Sequence, residues 1–276
     1  MLGMGIVLVC KATRVVSLAH GQILFLGAYF VWLLYSAWDL PVLVAFPIGI
    51  VGAALVGMLI ERLTMRPLIG QPEASLFLVT LAVFMFLDGI TKLILKGFAR
   101  AYHPPFIPEE PLHLGTITIP QDYLYGFIAA IVVAAALGVF FKYTRGGLGM
   151  RITAEDHMVA QSMGIRVKRV FSWAWGISGA VAGVAGVLMA TRTDLFYTMP
   201  EIAFKGLIVA LFGGLESLRG ALVGGLALGI LERMAAGYVE PLVGGGFRET
   251  AAYAFLLLIL LVRPYGLFGL VRIERI

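Results

Sequence analysis

The chain has 276 residues, 60% of them hydrophobic and 13% charged, with a formal net charge of +5. Soluble domains are about half apolar and a quarter charged, so this composition excludes an ordinary soluble enzyme and marks a polytopic membrane protein. In such a chain basic residues report topology before they report anionic partners, and the positive charge does not imply nucleic acid.

The opening run, MLGMGIVLVC, is about ten residues long and too short to span a bilayer alone. No basic region precedes it and no small-residue cleavage site follows, so it does not read as a secretory signal. Either it leans on the next segment or the start lies upstream. Cys10 is the single cysteine and cannot form an internal disulfide. A first full span runs from about Val15 to Trp38 and a second from about Leu40 to Ile60, after which Arg62 and Arg66 place the next loop inside. A third span, Leu76 to Leu95, leads to the loop 97–122, which is rich in proline and poor in basic residues, as an external loop should be. The fourth span, Tyr123 to Phe141, returns to a loop over 142–169 that collects Lys142, Arg145, Arg151, Arg166, Lys168 and Arg169. A fifth span covers Val170 to Ala190 and a last one Thr250 to Val262, followed by an inner tail with Arg263, Arg272 and Arg275. Between them the interval 202–234 must be a hairpin of two spans or a re-entrant pair, with GGLESLRG, Gly213 to Gly220, as its turn. The expected fold is a single all-α polytopic membrane domain of about seven or eight transmembrane helices. Glycines at helix-packing spacing run through it: Gly179/Gly183 beside the row Ser178, Ala182 and Gly186, then Gly220/Gly224 and Gly225/Gly229.

The loop 142–169 is the longest polar stretch between apolar segments. Within it Thr153 reads as the N-cap of a short helix over Ala154–Met163, with Asp156 completing a capping-box pattern and Glu155 adding negative charge at the positive end of the helix dipole. Gly164 offers the left-handed turn that ends the helix. At 1.5 Å per residue the helix is about 15 Å long, and Val159, Ala160 and Met163 lie close together on one face. One reading is a docking element for a soluble partner; the blander one is a solvated helix between two spans.

No catalytic constellation is visible. His20, His103, His113 and His157 have no metal-ligand spacing, and no GxxxxGK[ST] loop is present. Ionisable groups inside apolar spans are the better candidates, since each costs free energy unless paired or wetted. Asp88 and Lys92 share a helical face, with Lys96 beyond them, and read either as a charge relay or as a paired charge snorkelling to the outer surface. His20, between small residues in LAHG, either lines a polar path or hydrogen-bonds across a tight helix crossing.

Four stretches carry a resemblance. VVSLAHGQILFLGAY (Val15–Tyr29), TRGGLGMRITAEDHMVAQSMGI (Thr144–Ile165), FKGLIVALFGGLESLRGALVGGLALGILE (Phe204–Glu232) and RPYGLFG (Arg263–Gly269) resemble, in the same order, permease subunits of bacterial ABC importers of branched-chain amino acids. The AHG form is similar to the first of the two paralogous permeases of such systems. The resemblance implies an inner-membrane helical bundle, a second permease subunit, cytoplasmic ATPase subunits that use the ATP, and a periplasmic or surface substrate-binding protein. On it the chain is a transport subunit, neither an enzyme nor the holder of a cofactor or metal, and 142–169 is the cytoplasmic coupling loop. Thr153, Glu155, Asp156, Val159, Ala160, Met163 and Gly164 are then its ATPase-coupling residues, with Ala160 and Gly164 matching the family's Glu-Ala-Ala-x-x-x-Gly pattern. Met158 and Val159 depart from its Glu and Ala, Ser17 stands for the usual Asn, and the chain begins late relative to the family's first helix. Path-lining candidates on this scheme are His20, Gly21, Gly27, Gly213 and Gly214. The alternative is a stand-alone secondary transporter or channel for a small polar solute, resting on Asp88 and Lys92. The spans do not discriminate branched-chain amino acids from urea, amides or other amino acids.

Overall fold

Backbone in lipid has to satisfy its own hydrogen bonds, and these apolar runs do so as helices. The computed structural model describes residues 1–108, 110–114, 117–155, 157–243, 245–263 and 266–269. In chain order the helices are α1 (Leu2–Thr13), α2 (His20–Trp32), α3 (Val42–Ile60), α4 (Glu73–Leu95), α5 (Gln121–Tyr143), α6 (Arg145–Glu155), α7 (His157–Ser162), α8 (Val167–Thr193), α9 (Ile202–Gly213), α10 (Leu218–Met234), α11 (Glu240–Val243) and α12 (Phe247–Val262). Turns of π-helix extend α2 over Leu33–Ala37, α3 over Glu61–Met65 and α10 over Ala235–Val239. Among the described residues, five helical segments are long and apolar enough to cross a membrane: Val42–Leu68, Glu73–Leu95, Gln121–Tyr143, Val167–Thr193 and Leu218–Val243. Shorter apolar helices lie among them. The fold is an all-α polytopic membrane protein.

The bundle is built around α8, whose apolar window is 61% buried inside the chain against 11% for α5, so α5 is left largely to lipid or a neighbour. Small residues set how closely its neighbours approach. A Cβ at Gly186 would stand 2.1 Å from the Leu24 carbonyl oxygen of α2, and one at Gly57 of α3 would stand 2.4 Å from the Trp175 carbonyl. The Gly179 and Gly186 rows are therefore used within this chain, bringing backbones into contact where no hydrophobic force distinguishes helix from lipid. Gly225/Gly229 behaves differently: a Cβ at Gly229 meets nothing within 4 Å.

Two elements depart from the spans read from hydropathy. The first span does not begin at Val15. α1 ends at Thr13, whose hydroxyl bonds the Val9 carbonyl at 2.8 Å, Arg14 turns left-handed at φ 57°, and the helix resumes only at His20. The non-helical stretch is supplied from α4: Thr80 Oγ1 accepts from Leu18 N–H at 3.4 Å and lies 3.4 Å from Val16 C=O, its proton shared with Phe77 C=O at 2.9 Å. Buried in protein, such backbone is tolerated at depth. The second departure is the pair at 202–234, which consists of a 12-residue arm, α9, and the full-length α10. At 1.5 Å per residue α9 is about 18 Å long, a half-span. Its last carbonyls are closed by the tail, with Leu267 N–H on Phe212 O at 2.8 Å and Phe268 N–H on Gly213 O at 3.2 Å.

The loop 97–122 packs at the far end of α2. Trp32 Nε1 donates to Ala101 O at 2.8 Å, and Tyr102 OH donates to Ala28 O at 2.9 Å. Burial raises the Tyr102 phenol above its ordinary value. A two-stranded antiparallel ribbon, β1 (Leu112–Leu114) and β2 (Ile117–Ile119), pairs Leu112 with Ile119.

Candidate functional site

The loop over 142–169 sits at the opposite end of α2 from that cap. Its helix starts earlier than Thr153. Thr144 is the residue that caps it, accepting from Gly147 N–H at 3.0 Å. Glycine is required at 147 because a Cβ there would stand 2.4 Å from Phe140 O, so the first turn of α6 lies directly on the end of α5. Thr153 is consequently inside α6, buried, with its hydroxyl on Gly149 O at 2.8 Å; the N-cap reading is corrected. Glu155 is the last residue of α6 and therefore stands at a negative helix end, not the positive one. Asp156 lies outside the described residues.

α7 then presents Met158, Val159 and Met163, which are 80%, 50% and 65% exposed. Ala160 does not share that surface. It is fully buried against Val167 and Phe171 in a small core of the loop itself, flanked by Ile152 and Ile165. Gly164, at φ 78°, ends α7, and Ile165 N–H closes onto Ala160 O at 3.0 Å. Such a left-handed glycine closure satisfies the orphan carbonyls and turns the chain into α8.

One joint ties this loop to the bundle and a second fixes the helix that follows it, and neither was apparent from the sequence. Arg14, at the break between α1 and α2, donates through Nη2 to Ala154 O at 3.1 Å and Glu155 O at 3.0 Å, the last carbonyls of α6. A cation there also faces the negative end of the helix dipole. The second joint is Glu61, fully buried in the π turn after α3. It pairs with Arg66 at 3.2 Å and accepts from Ser172 Oγ at 2.7 Å, near the start of α8. A buried carboxyl group is costly unless paired and hydrogen-bonded, and Arg66 and Ser172 supply both. Periodicity marks only apolar faces, so an arginine at a break and a glutamate at a span's end carry no signal of what they grip.

Asp88 and Lys92 form an ion pair at 2.6 Å, with Lys92 56% exposed. The residue missed there is Gln22 of α2, fully buried, which donates to Asp88 at 3.5 Å and accepts from Thr91 at 3.0 Å. The pair thus belongs to a polar seam that holds α4 on α2. The five path-lining candidates all have packing partners. His20 Nε2 lies 2.6 Å from Ser178 Oγ, which donates to Gly5 O at 2.8 Å, so the histidine joins α2, α8 and α1. Cβ atoms at Gly21 and Gly27 would stand 2.1 Å from Pro200 O and 2.6 Å from Gly183 Cα. At the α9 turn, one at Gly213 would stand 2.2 Å from Gly220 C, and one at Gly214, whose φ is 98°, would stand 2.6 Å from Gly269 N. All five thus sit at close-packed crossings of the bundle.

The family described as the branched-chain amino acid transport system permease component matches residues 1–263. The high-affinity branched-chain amino acid transport system permease protein LivH of Escherichia coli K12 is 28% identical over 297 residues, covering 100% of this chain and 92% of that protein. BraD of Pseudomonas aeruginosa, of the same description, is 25% identical over 100% of this chain and 93% of its own. The nucleoside ABC transporter permease protein NupC of Lactococcus lactis is 29% identical over 58% of this chain and 51% of its own. No solved structure matches. The match along almost the whole chain leads to one conclusion: this chain belongs to the permease component family of branched-chain amino acid transport systems.

Proposed function

We propose that the chain is one of two paralogous permease subunits of an ATP-driven, binding-protein-dependent importer in a bacterial inner membrane. It carries branched-chain or related amino acids. ATP is hydrolysed on separate cytoplasmic subunits that grip the loop at α7, and a binding protein outside supplies most of the substrate affinity. The observation that carries this reading is the construction of 142–169. α7 exposes an apolar edge and stands on its own core at Ala160, Val167 and Phe171, while Arg14 holds the end of α6 just before it and Glu61 holds the start of α8 through Ser172. A loop built this way moves as a rigid piece and passes displacement to α1, α3 and α8, which is what a docked lever needs. The full-length matches to LivH and BraD, against a partial one to the nucleoside permease, favour amino acids as substrate.

The test is uptake by proteoliposomes holding the chain with its partner permease, ATPases and binding protein. Leucine, isoleucine and valine should accumulate only with ATP, and replacing residues 153–164 by a Gly/Ser linker should abolish both accumulation and recovery of the ATPase. Accumulation without nucleotide, driven by an ion gradient, would refute the assignment.

A further inference from the structure

Among the described residues, an unassigned groove of about 950 Å³ lies between the end of α5, α6 and the start of α8. Its apolar wall includes Phe140, Val170 and Trp173, residues of two membrane-length helices, and its rim carries Arg145, Arg166 and Arg169. Trp173 is 55% exposed into it. Among the described residues, no ion pair involves any of the three arginines. None of Met158, Val159 or Met163 lines the groove, so it is separate from the exposed edge of α7.

We propose that this groove is a binding site for an anionic phospholipid of the inner leaflet, its phosphate held by Arg145, Arg166 and Arg169 and its glycerol and first acyl carbons lying along Phe140, Val170 and Trp173. Guanidinium groups bind phosphate by paired hydrogen bonds. Basic pockets between transmembrane helices on the cytoplasmic side hold acidic headgroups, and tryptophan concentrates at that level of the bilayer. A soluble ATPase is the other candidate occupant, but the apolar wall continues into α5 and α8, which belong to the membrane. The lipid would touch α6 through Gly149 and Ile152 and the turn through Gly164 and Ile165, bracing the loop from its membrane side.

The experiment compares the full chain, purified from nanodiscs of phosphatidylcholine with phosphatidylglycerol, with R166Q/R169Q and with K142Q/R151Q, a charge-matched pair outside the groove. Retained lipid is counted by native mass spectrometry. Phosphatidylglycerol should be retained selectively, and R166Q/R169Q should weaken retention by about fivefold for each arginine removed, while K142Q/R151Q retains it. Brominated phosphatidylglycerol should quench tryptophan fluorescence more than brominated phosphatidylcholine, and W173F should remove the difference. Equal losses in both double variants would reduce the effect to general positive charge and overturn the site. Exclusion of the lipid on adding the ATPase would hand the groove to that subunit and equally overturn the proposal.

Discussion

Arg14 is the most informative residue to change, because two opposing effects meet in it. Its Nη2 holds the Ala154 and Glu155 carbonyls at 3.1 and 3.0 Å. Hydrogen bonds involving a charged group contribute about 1.5–3 kcal/mol, and with one of the two exposed the joint is worth about 2 kcal/mol. Against that, Arg14 sits at φ 57°, where a residue with a Cβ carries roughly 1–2 kcal/mol of strain that glycine does not. R14A loses the joint and keeps the strain; R14G loses both. Stability of R14G should therefore lie within about 1 kcal/mol of the parent, with R14A about 2 kcal/mol lower. Coupling should suffer equally in the two, since a 2 kcal/mol bias between two bundle states is about thirtyfold in their ratio. The assay is ATP hydrolysed per leucine delivered in proteoliposomes holding the whole complex, alongside thermal unfolding in detergent. Parental stoichiometry in both variants would show that Arg14 transmits nothing, and recovery of coupling in R14G alone would show that strain mattered instead.

V159E and A160E separate surface from core within α7. Val159 is half exposed, so V159E should leave limited proteolysis of 142–169 unchanged while reducing ATPase recovery. A160E puts an unpaired carboxylate against Val167 and Phe171, a cost of about 3 kcal/mol or more, and should open the loop to protease. At Gly186 an added side chain meets the Leu24 carbonyl, so G186V should lower stability by about 1–3 kcal/mol. G229A meets nothing and should be neutral or up to about 1 kcal/mol stabilising through helix propensity; equal melting temperatures for the two would refute the packing account. E61Q removes the charge facing Arg66 and should lower the melting temperature more than S172A, which deletes only a hydroxyl partner.

Much of the bundle was legible because lipid leaves few options: apolar runs of sufficient length become helices. The spans at 40–60, 76–95, 123–141 and 170–190 reappear as α3, α4, α5 and α8. The AHG span failed at its start because Val15, Val16 and Leu18 are as apolar as a helix, while the left-handed turn at Arg14 and the bonds from Thr80 are tertiary facts. The loop failed in the opposite sense. Gly146, Gly147 and Gly149 read as loop, yet glycine is what lets α6 start on top of Phe140, and that early start moves Thr153 from cap to interior. Ala160 was misplaced for a related reason. Helical spacing puts Val159, Ala160 and Met163 near one another, but a six-residue helix has no periodicity long enough to say which edge meets Val167 and Phe171.

The motifs spaced along the chain are contact pairs in space, and the reason is the backbone. Wherever a helix stops inside a membrane protein, it leaves carbonyls or amides with no water to satisfy them. Another segment has to be delivered to the break, and the two sequences become constrained together. The FGG turn that ends α9 is closed by Leu267 and Phe268 of RPYGLFG, with Gly214 and Gly269 in contact. The break before AHG is closed by Thr80 on one side, and on the other its arginine closes the end of α6 in the GGLGMRITAE stretch. Both breaks follow 12-residue helices, α1 and α9, that pack on each other. The mobile parts of the permease are therefore expected at these closures. Each can open only by exchanging one set of hydrogen bonds for another, and such an exchange favours discrete arrangements over a continuum.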